Sequence, residues 1–486
     1  MPSVSSKAGM PKFGFTLRPR FLSFPFKKKK DTLPKNSLPK IRTKALPGPQ
    51  SVKLTETLKR FECPQITFIG GPFPVFFKKA AACNIVDVDG NRFLDLTGCF
   101  AVVNIGHGAR AVLKALKKQS RLMVHGMGDV HPNEVKVALA KRLSEITPGN
   151  LNQTIFSSTG SEAVETALKT AVMSTKKTGV VAFTGAYHGL TYGVLNATHR
   201  DDFRKPFLKQ LGQFSYFSPF PDERVYEGKA SEVSLKAVKK IVKRSRRSKH
   251  PVGAVLIEPI QGRGGIVPAP ADFMKGLRAF CDEEKIVFIA DEVFTGFGRT
   301  GAMFAVEKSG VVPDLLCLGK GLGNGFPISA CVGTTRVMYS WGASTGDAIH
   351  TSTFLGNPLG CAVALAVIRE IENKKLVDRS KNLGEYFRKG LWKLKEKYPV
   401  IGDIRGSGLM IGLEFVEHPA YGSRTRKILP ATAKAKAFIA EALRHGILLL
   451  PSGPAHNVIS ITPPFVISER EIDFSIRVFD KVLQKI

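Results

Sequence analysis

The chain has 486 residues, 43% of them hydrophobic, with 72 Lys+Arg against 40 Asp+Glu and a formal net charge of +32. That length suits two domains, or one large domain with a satellite, and the apolar fraction is that of a globular protein with a core. No run approaches the roughly 18 apolar residues of a membrane-spanning helix, so none is expected.

Seven cysteines occur: Cys63, Cys83, Cys99, Cys281, Cys317, Cys331 and Cys361. They show no metal-type spacing, and most stand in apolar or helical context. This reads as free thiols in a reducing compartment and predicts a cytoplasmic protein with no bound metal. The positive charge is partly local. Residues 1–45 hold 12 Lys/Arg against one acid, Asp31, and a second cluster spans 236–249. Such charge fits either an acidic partner or a solvated helix face. No nucleic-acid-binding motif accompanies it, and nucleic acid is not expected as a partner.

In chain order, residues 1–45 are rich in Pro, Ser and Lys, so a disordered tail is expected. They hold no apolar stretch long enough for a secretory signal, and Lys27–Lys30 with several prolines argue against an amphipathic presequence. Gly71–Pro74 and then Asn84–Leu96 predict short strands, the second about the turn Asp89-Gly90. His107 is a candidate base, read more simply as a hydrogen-bonding group at the head of a helix over Ala109–Gln119. Glu134–Ile146 carries apolar residues at helical spacing and stops before Pro148.

The stretch 155–171, IFSSTGSEAVETALKTA, runs from a short strand through Ser-Ser-Thr-Gly-Ser into a helix. Thr159 with Glu162 matches a capping box. The N–H groups of Gly160 and Ser161 at the helix start would make an anion site, although an ordinary capped helix gives the same pattern. A strand over Val180–Phe183 leads to Gly185-Ala-Tyr-His-Gly189, where Tyr187 and His188 alone read as a core aromatic and a satisfied histidine. Helices follow over Glu232–Arg244 and Phe273–Glu284, with a strand over Gly253–Ile257 ending at Glu258. Cys361–Ile371 begins a long helix. Gly408–Phe415 and Gly446–Leu450 read as strands, with a helix over Ala431–Arg444 between them. Alternating strand and helix signals predict an α/β fold with a mostly parallel sheet.

Two further runs carry the chemistry. Ile286–Ala290 is short and apolar and ends on Asp291. Leu315–Leu318 ends on Gly319-Lys320. Such runs suit strands buried on both faces, and in open α/β sheets ligands sit beyond the carboxyl ends of the strands. A lysine with a desolvated amine can condense with a carbonyl. Pyridoxal phosphate uses such a lysine, together with an acid facing its pyridinium nitrogen. Asp291 and Lys320 fit those roles; taken singly, they also read as a helix cap or ion-pair partner and as a surface lysine.

IADEVFTGFGRTG and LGKGLGNGFPIS resemble the signature of the class III pyridoxal-phosphate-dependent aminotransferases, relatives of the ornithine, acetylornithine and 4-aminobutyrate enzymes. Further matches run in order from about residue 85 to 365, with a weaker one near 460. The resemblance implies pyridoxal 5'-phosphate as cofactor and a fold of the aspartate-aminotransferase type. Residues 97–360 would form the large domain, and a smaller α+β domain would come from 46–96 and 361–486. It implies that Lys320 carries the cofactor, Asp291 faces its ring nitrogen, Val293 packs on the ring, and Gly160 and Ser161 hold the phosphate. Tyr187 and His188 would lie near the ring, and Glu258 in its supporting network. Thr353 would reach the phosphate of a neighbouring subunit, so a homodimer with shared active sites is implied. Thr97–Gly108, with Phe100, resembles one wall of the substrate site. The implied reaction is a ping-pong transfer of an amino group from an amino acid or ω-amine donor to a 2-keto acid. A racemase, epimerase or aminomutase of the same family is the alternative. A remote one is a basic nucleic-acid-binding protein on an inactive enzyme scaffold.

The chain departs from the family in two places. Many members read QGEGG where this sequence has Gln261-Gly-Arg263-Gly-Gly265. The same members carry an arginine before a Pro-Pro pair, where Ser460 stands here. In those relatives the arginine grips a substrate carboxylate. Arg263 is therefore expected to take over as the carboxylate clamp, with a solvent-facing Arg263 as the competing reading.

Overall fold

The computed structural model describes residues 37–417 and 429–486. Most of the expected tail, 1–36, lies outside the described residues. Its last part does not behave as a tail. Lys40 pairs with Arg92, and the N–H groups of Arg42 and Thr43 donate to the Asn91 side chain, so residues 37–45 are held on the hairpin that follows.

The longer elements, in chain order, begin with α1 (Pro49–Phe61), β1 (Phe77–Ala81), β2 (Asn84–Asp87) and β3 (Arg92–Asp95). Next come α2 (Arg110–Ser120), α3 (Glu134–Ile146), β4 (Leu151–Ser157), α4 (Gly160–Thr175), β5 (Gly179–Phe183), β6 (Ser215–Ser218) and α5 (Ala230–Ser245). The middle of the chain supplies β7 (Val252–Ile257), α6 (Ala271–Glu283), β8 (Val287–Asp291), β9 (Leu315–Leu318) and β10 (Ser329–Thr334). Long helices α7 (Pro358–Asn373) and α8 (Leu376–Lys397) lead to β11 (Ile401–Ser407), β12 (Met410–Glu417) and α9 (Thr432–Arg444). The chain ends with β13 (Ile447–Leu448), β14 (Leu450–Ser452), β15 (Val458–Ile461) and α10 (Glu469–Leu483).

A seven-stranded sheet in the order β4-β10-β9-β8-β7-β5-β6 organises the middle of the chain. The pairs β9–β8, β8–β7, β7–β5 and β5–β6 are parallel, and only β10 runs against its two neighbours. Its strands are apolar on both faces because both faces are covered. Val180, Leu256, Ile289, Leu315 and Cys317 point to one side, where α4 packs through Ala163, Ala167 and Ala171. Val181, Ile257, Phe288, Leu316 and Leu318 point to the other, into the main core. The alanines bring α4 close to the sheet, and that fixes its N-terminus beside the ends of β8 and β9.

Two smaller sheets flank this one. In the first, β1-β2-β3-β13, the strand Ile447–Leu448 adds in parallel to β3. In the second, β11-β12-β15-β14, all pairs are antiparallel. Two expectations are corrected here and one is extended. Gly408–Phe415 does hold a strand, β12, and it is the second half of a hairpin whose first half is β11, turning at Gly408 with φ +55°. The sequence Ile401–Ser407 hid that strand because glycine and aspartate interrupt its apolar pattern. Gly446–Leu450 divides between two sheets, β13 going to β3 and β14 to β15. Gly71–Pro74 makes only a bridge, Gly70 with Phe73, and the strand beside it is Phe77–Ala81.

Candidate active site

The carboxyl ends of β8 and β9 and the start of α4 open onto one cavity of about 370 Å³. Lys320, Asp291, Val293, Gly160, Ser161, Tyr187, His188 and Glu258 all line it, as do Arg263 and Phe100. The sequence had scattered these residues over more than two hundred positions.

The helix start is built as the capping pattern predicted. Thr159 Oγ1 accepts from the Glu162 N–H at 3.3 Å, and Glu162 Oε2 accepts from the N–H groups of Ser158 and Thr159 at 2.8 and 2.9 Å. These bonds leave the N–H groups of Gly160 and Ser161 with no acceptor inside the helix. A Cβ on Gly160 would stand 2.7 Å from Val293 Cγ1, and one on Gly189 would stand 1.9 Å from Ser161 Oγ. Glycine at both positions keeps open a cradle lined by positive N–H ends, which favours an anion.

Asp291, the last residue of β8, is buried. Its Oδ2 lies 2.7 Å from His188 Nδ1, and its Oδ1 accepts from the Val293 N–H at 3.0 Å. The buried His188 Nε2 has no partner among the described residues. Glu258 sits behind this pair and accepts from the N–H groups of Tyr187 and Gly262 at 3.0 and 2.8 Å. Burial pushes the Glu258 carboxyl up to about 7, against a smaller opposite pull from His188. Lys320 follows β9 with a left-handed φ of +31°. Burial lowers its amine below the ordinary lysine value, with Asp291 and Glu258 pulling the other way. Its Nζ lies 4.7 Å from the centre of the Phe294 ring.

The outer wall comes from loops. Gly98, Cys99, Phe100 and Ala101 all have positive φ, between +48° and +64°, a left-handed turn that non-glycine residues rarely adopt. It is held from behind. Asn324 accepts from the Ile105 N–H and donates to the Gly106 carbonyl, at 2.9 and 3.1 Å. The fully buried Arg299 donates to Asn104 Oδ1 at 2.6 Å and to the carbonyls of Leu409 and Pro463. The turn leaves Phe100 exposed at the cavity. His107 Nε2 donates to Asp95 Oδ2, 2.8 Å away, and does not line the cavity, in line with its simpler reading.

Arg263 stands on aromatic faces, its guanidinium carbon 4.8 Å from the Tyr187 ring centre and 5.6 Å from that of Phe203. Among the described residues it has no carboxylate within ion-pair distance. Arg200 is buried beside it and donates to its carbonyl at 3.4 Å.

Two expected residues lie elsewhere. Ser460 is in the middle of β15, opposite Gly412 and Leu450, and does not line the cavity. Thr353 lies in an exposed loop and does not line it either. The sequence reading also missed residues. Phe294 was hidden because it is the residue after Val293 in a turn. Arg200 and Phe203 stand in a segment with no motif, and only their contact with Arg263 and Tyr187 reveals them.

Comparison with known proteins agrees with this geometry. A family model for class-III aminotransferases matches residues 69–483. The chain is 36% identical over 426 residues to the 5-aminovalerate aminotransferase DavT of Pseudomonas putida, covering 86% of this chain and 95% of that protein. It is 35% identical to the 4-aminobutyrate aminotransferase GabT of Escherichia coli, covering 83% and 92%. An amine transaminase from an uncultivated Pseudomonas species, solved in its pyridoxal-phosphate-bound form, superposes with a TM-score of 0.79 at 29% identity, over 88% of this chain and 98% of that one. With the strand-end lysine and aspartate, the helix-capped cradle and these matches together, the chain belongs to the class-III aminotransferases, enzymes that depend on pyridoxal phosphate.

Proposed function

We propose that Lys320 holds the cofactor aldehyde, that Asp291 keeps a proton on its ring nitrogen, and that the N–H groups of Gly160 and Ser161 bind its phosphate. The residues present fit the group. The cradle is one that a Cβ at Gly160 or Gly189 would fill, and it lies in the same cavity as a buried amine and a buried carboxylate. When bound, pyridoxal phosphate takes the amino group of a donor, stabilises the deprotonated donor carbon through its ring and passes the amino group to a keto acid in a ping-pong cycle.

The chain's own residues do the rest. Lys320, whose amine burial lowers below the ordinary lysine value, stands where it can take a proton from the donor carbon and return it. Asp291 is held by His188 and the Val293 N–H, so its carboxyl group is oriented before any substrate arrives. Val293 and Tyr187 offer an aliphatic and an aromatic wall to a flat ring. Glu258 fixes the loop of Tyr187 to that of Gly262.

The substrates are an amino acid or ω-amine donor and a 2-keto acid acceptor. Arg263 carries this reading: it is a cation at the cavity without a carboxylate of its own, free to pair with one on a substrate. The names of the relatives, 5-aminovalerate and 4-aminobutyrate aminotransferase, fit a site that receives an amine and a carboxylate at opposite ends. Arg263→Ala should weaken carboxylated substrates by about 2 kcal/mol, roughly thirtyfold in KM, and leave simple monoamines nearly unchanged. Equal losses for both groups in steady-state kinetics would rule out the clamp.

The working unit is a homodimer with shared sites. Leu122, Met123, Val124, Met127, Val130 and Phe354 are all exposed, an apolar set that suits burial against a second copy. Thr353 sits beside Phe354, where it would face a partner's cavity. The free state of all seven cysteines supports a reducing compartment such as the cytoplasm.

A further inference from the structure

Outside the cavity, three side chains of different chemistry converge on one oxygen. Asp95 ends β3, Cys99 lies in the left-handed turn, and His107 closes the wall loop. His107 Nε2 is 2.8 Å and Cys99 Sγ 3.8 Å from the same atom, Asp95 Oδ2. One potential ligand atom from each residue lies within 4.8 Å of the other two, and among the described residues no other grouping of this kind occurs.

The carboxylate is set from behind. Asp95 Oδ1 accepts from both the N–H and the hydroxyl of Thr97, at 2.8 and 2.6 Å. The same hydroxyl accepts from the Cys99 N–H at 3.1 Å. Thr97 therefore fixes two of the three residues and leaves Oδ2 facing the thiol and the imidazole. Outer partners of this kind orient the ligands of metal sites. Asp95 is buried, while Cys99 and His107 are each partly exposed, so an ion has a way in from solvent. Two donors crowd one oxygen here, and a single divalent cation could take the place of both their hydrogens.

We propose that Asp95 Oδ2, Cys99 Sγ and His107 Nε2 form a zinc site, with a fourth position open to water. Sulfur, nitrogen and oxygen together suit zinc, whereas magnesium and calcium prefer oxygen alone. On binding, the thiol gives its proton to solvent. The imidazole binds neutral, with its hydrogen on Nδ1. Thiolate and carboxylate together balance the charge of the ion, and no electron is transferred. Spacing alone hid the site, because residues 95, 99 and 107 meet only through the left-handed turn. The ion would pin that turn, whose next residue, Phe100, lines the substrate cavity. Zinc would thus slow turnover from the wall of the site without touching the reacting atoms. The proposal stands on these three residues and does not depend on the roles given to Lys320 or Arg263.

The test is a zinc titration of the holoenzyme in competition with a chromogenic zinc chelator, alongside turnover. Wild type should take up one zinc per chain with submicromolar affinity and lose activity in step, and chelator should restore it. Cys63→Ser, which removes the exposed thiol, should behave the same. Cys99→Gly suits a left-handed backbone; it should lose both the tight site and any response of its activity to zinc. Cys99→Ser, closer in shape, should weaken binding at least tenfold should the glycine variant fold poorly. X-ray absorption at the zinc edge should show one sulfur among the ligands. Uptake by the Cys99 variants equal to wild type, a sulfur-free shell, or no submicromolar uptake by wild type would each overturn the proposal.

Discussion

The two ends of the cavity are built on different principles. The inner end, proposed to hold the cofactor, comes from contiguous motifs at the ends of β8, β9 and β4, and its groups are locked by hydrogen bonds within or beside the sheet. The outer end, proposed to receive the substrate, comes from loops, with Phe100 in a left-handed turn and Arg263 resting on Tyr187 and Phe203. Rigid elements place charge with precision, and loops can change composition without disturbing the sheet. Damage to the first end should therefore lower the rate for every substrate. Damage to the second should change which substrates are accepted.

Substitutions sharpen that contrast in order of size. Lys320→Ala should lower turnover at least about a thousandfold for all donors, since proton transfer at the donor carbon is lost. The cradle should still retain cofactor noncovalently, which equilibrium dialysis can check. Turnover near wild type would refute the assignment. Asp291→Asn should preserve the fold and cut turnover by about a hundred- to a thousandfold, because an amide cannot hold the ring nitrogen protonated. An unchanged rate would mean that another group does this.

A mixing experiment separates the chain's own residues from those it lends. Lys320→Ala and Thr353→Ala chains should each be impaired alone. If Thr353 serves the partner's site, a refolded mixture should regain activity, since each mixed dimer contains one intact site. No gain on mixing, with mixed dimers shown by mass spectrometry, would place Thr353 outside the shared site.

The smallest effect is on stability. Burial raises Glu258 from 4.5 to about 7, so between those values the folded chain keeps a proton that the unfolded chain has lost. Its contribution to stability is full below about pH 4.5 and is lost as pH rises through about 7. Glu258→Gln should flatten the fall in stability of the cofactor-free protein over that window, read by chemical denaturation. Glu292, also raised to about 7 by burial, should keep its own share of the slope. An unaltered slope would mean that Glu258 titrates as an ordinary carboxyl.

Much of the inner end of the cavity was legible in the sequence. Asp291 and Lys320 close short apolar runs, and such runs suit interior strands, whose carboxyl ends face ligands in open α/β sheets. Thr159 and Glu162 specify the helix start through bonds three residues apart, so local chemistry sufficed. The hairpin β2–β3 followed from Asp89-Gly90 for the same reason. What failed was non-local. Ile447–Leu448 joins β3, a pairing that no short-range signal encodes. Ile401–Ser407 is a strand because β12 lies beside it, and its own apolar pattern is weak. Arg200 and Phe203 reach the site only because the segment after Tyr187 folds back over it.

The sequence by itself determined that Asp291 and Lys320 stand at strand ends and that a capped helix starts at Thr159, because periodicity, capping and turn residues act over a few positions. Only the tertiary structure decided that Ser460 stands away from the cavity and that Arg263 rests on two aromatic rings at its edge. It alone brought Asp95, Cys99 and His107 to one oxygen. Such meetings depend on how distant segments pack, and packing is settled by the burial of the whole core, not by neighbours along the chain.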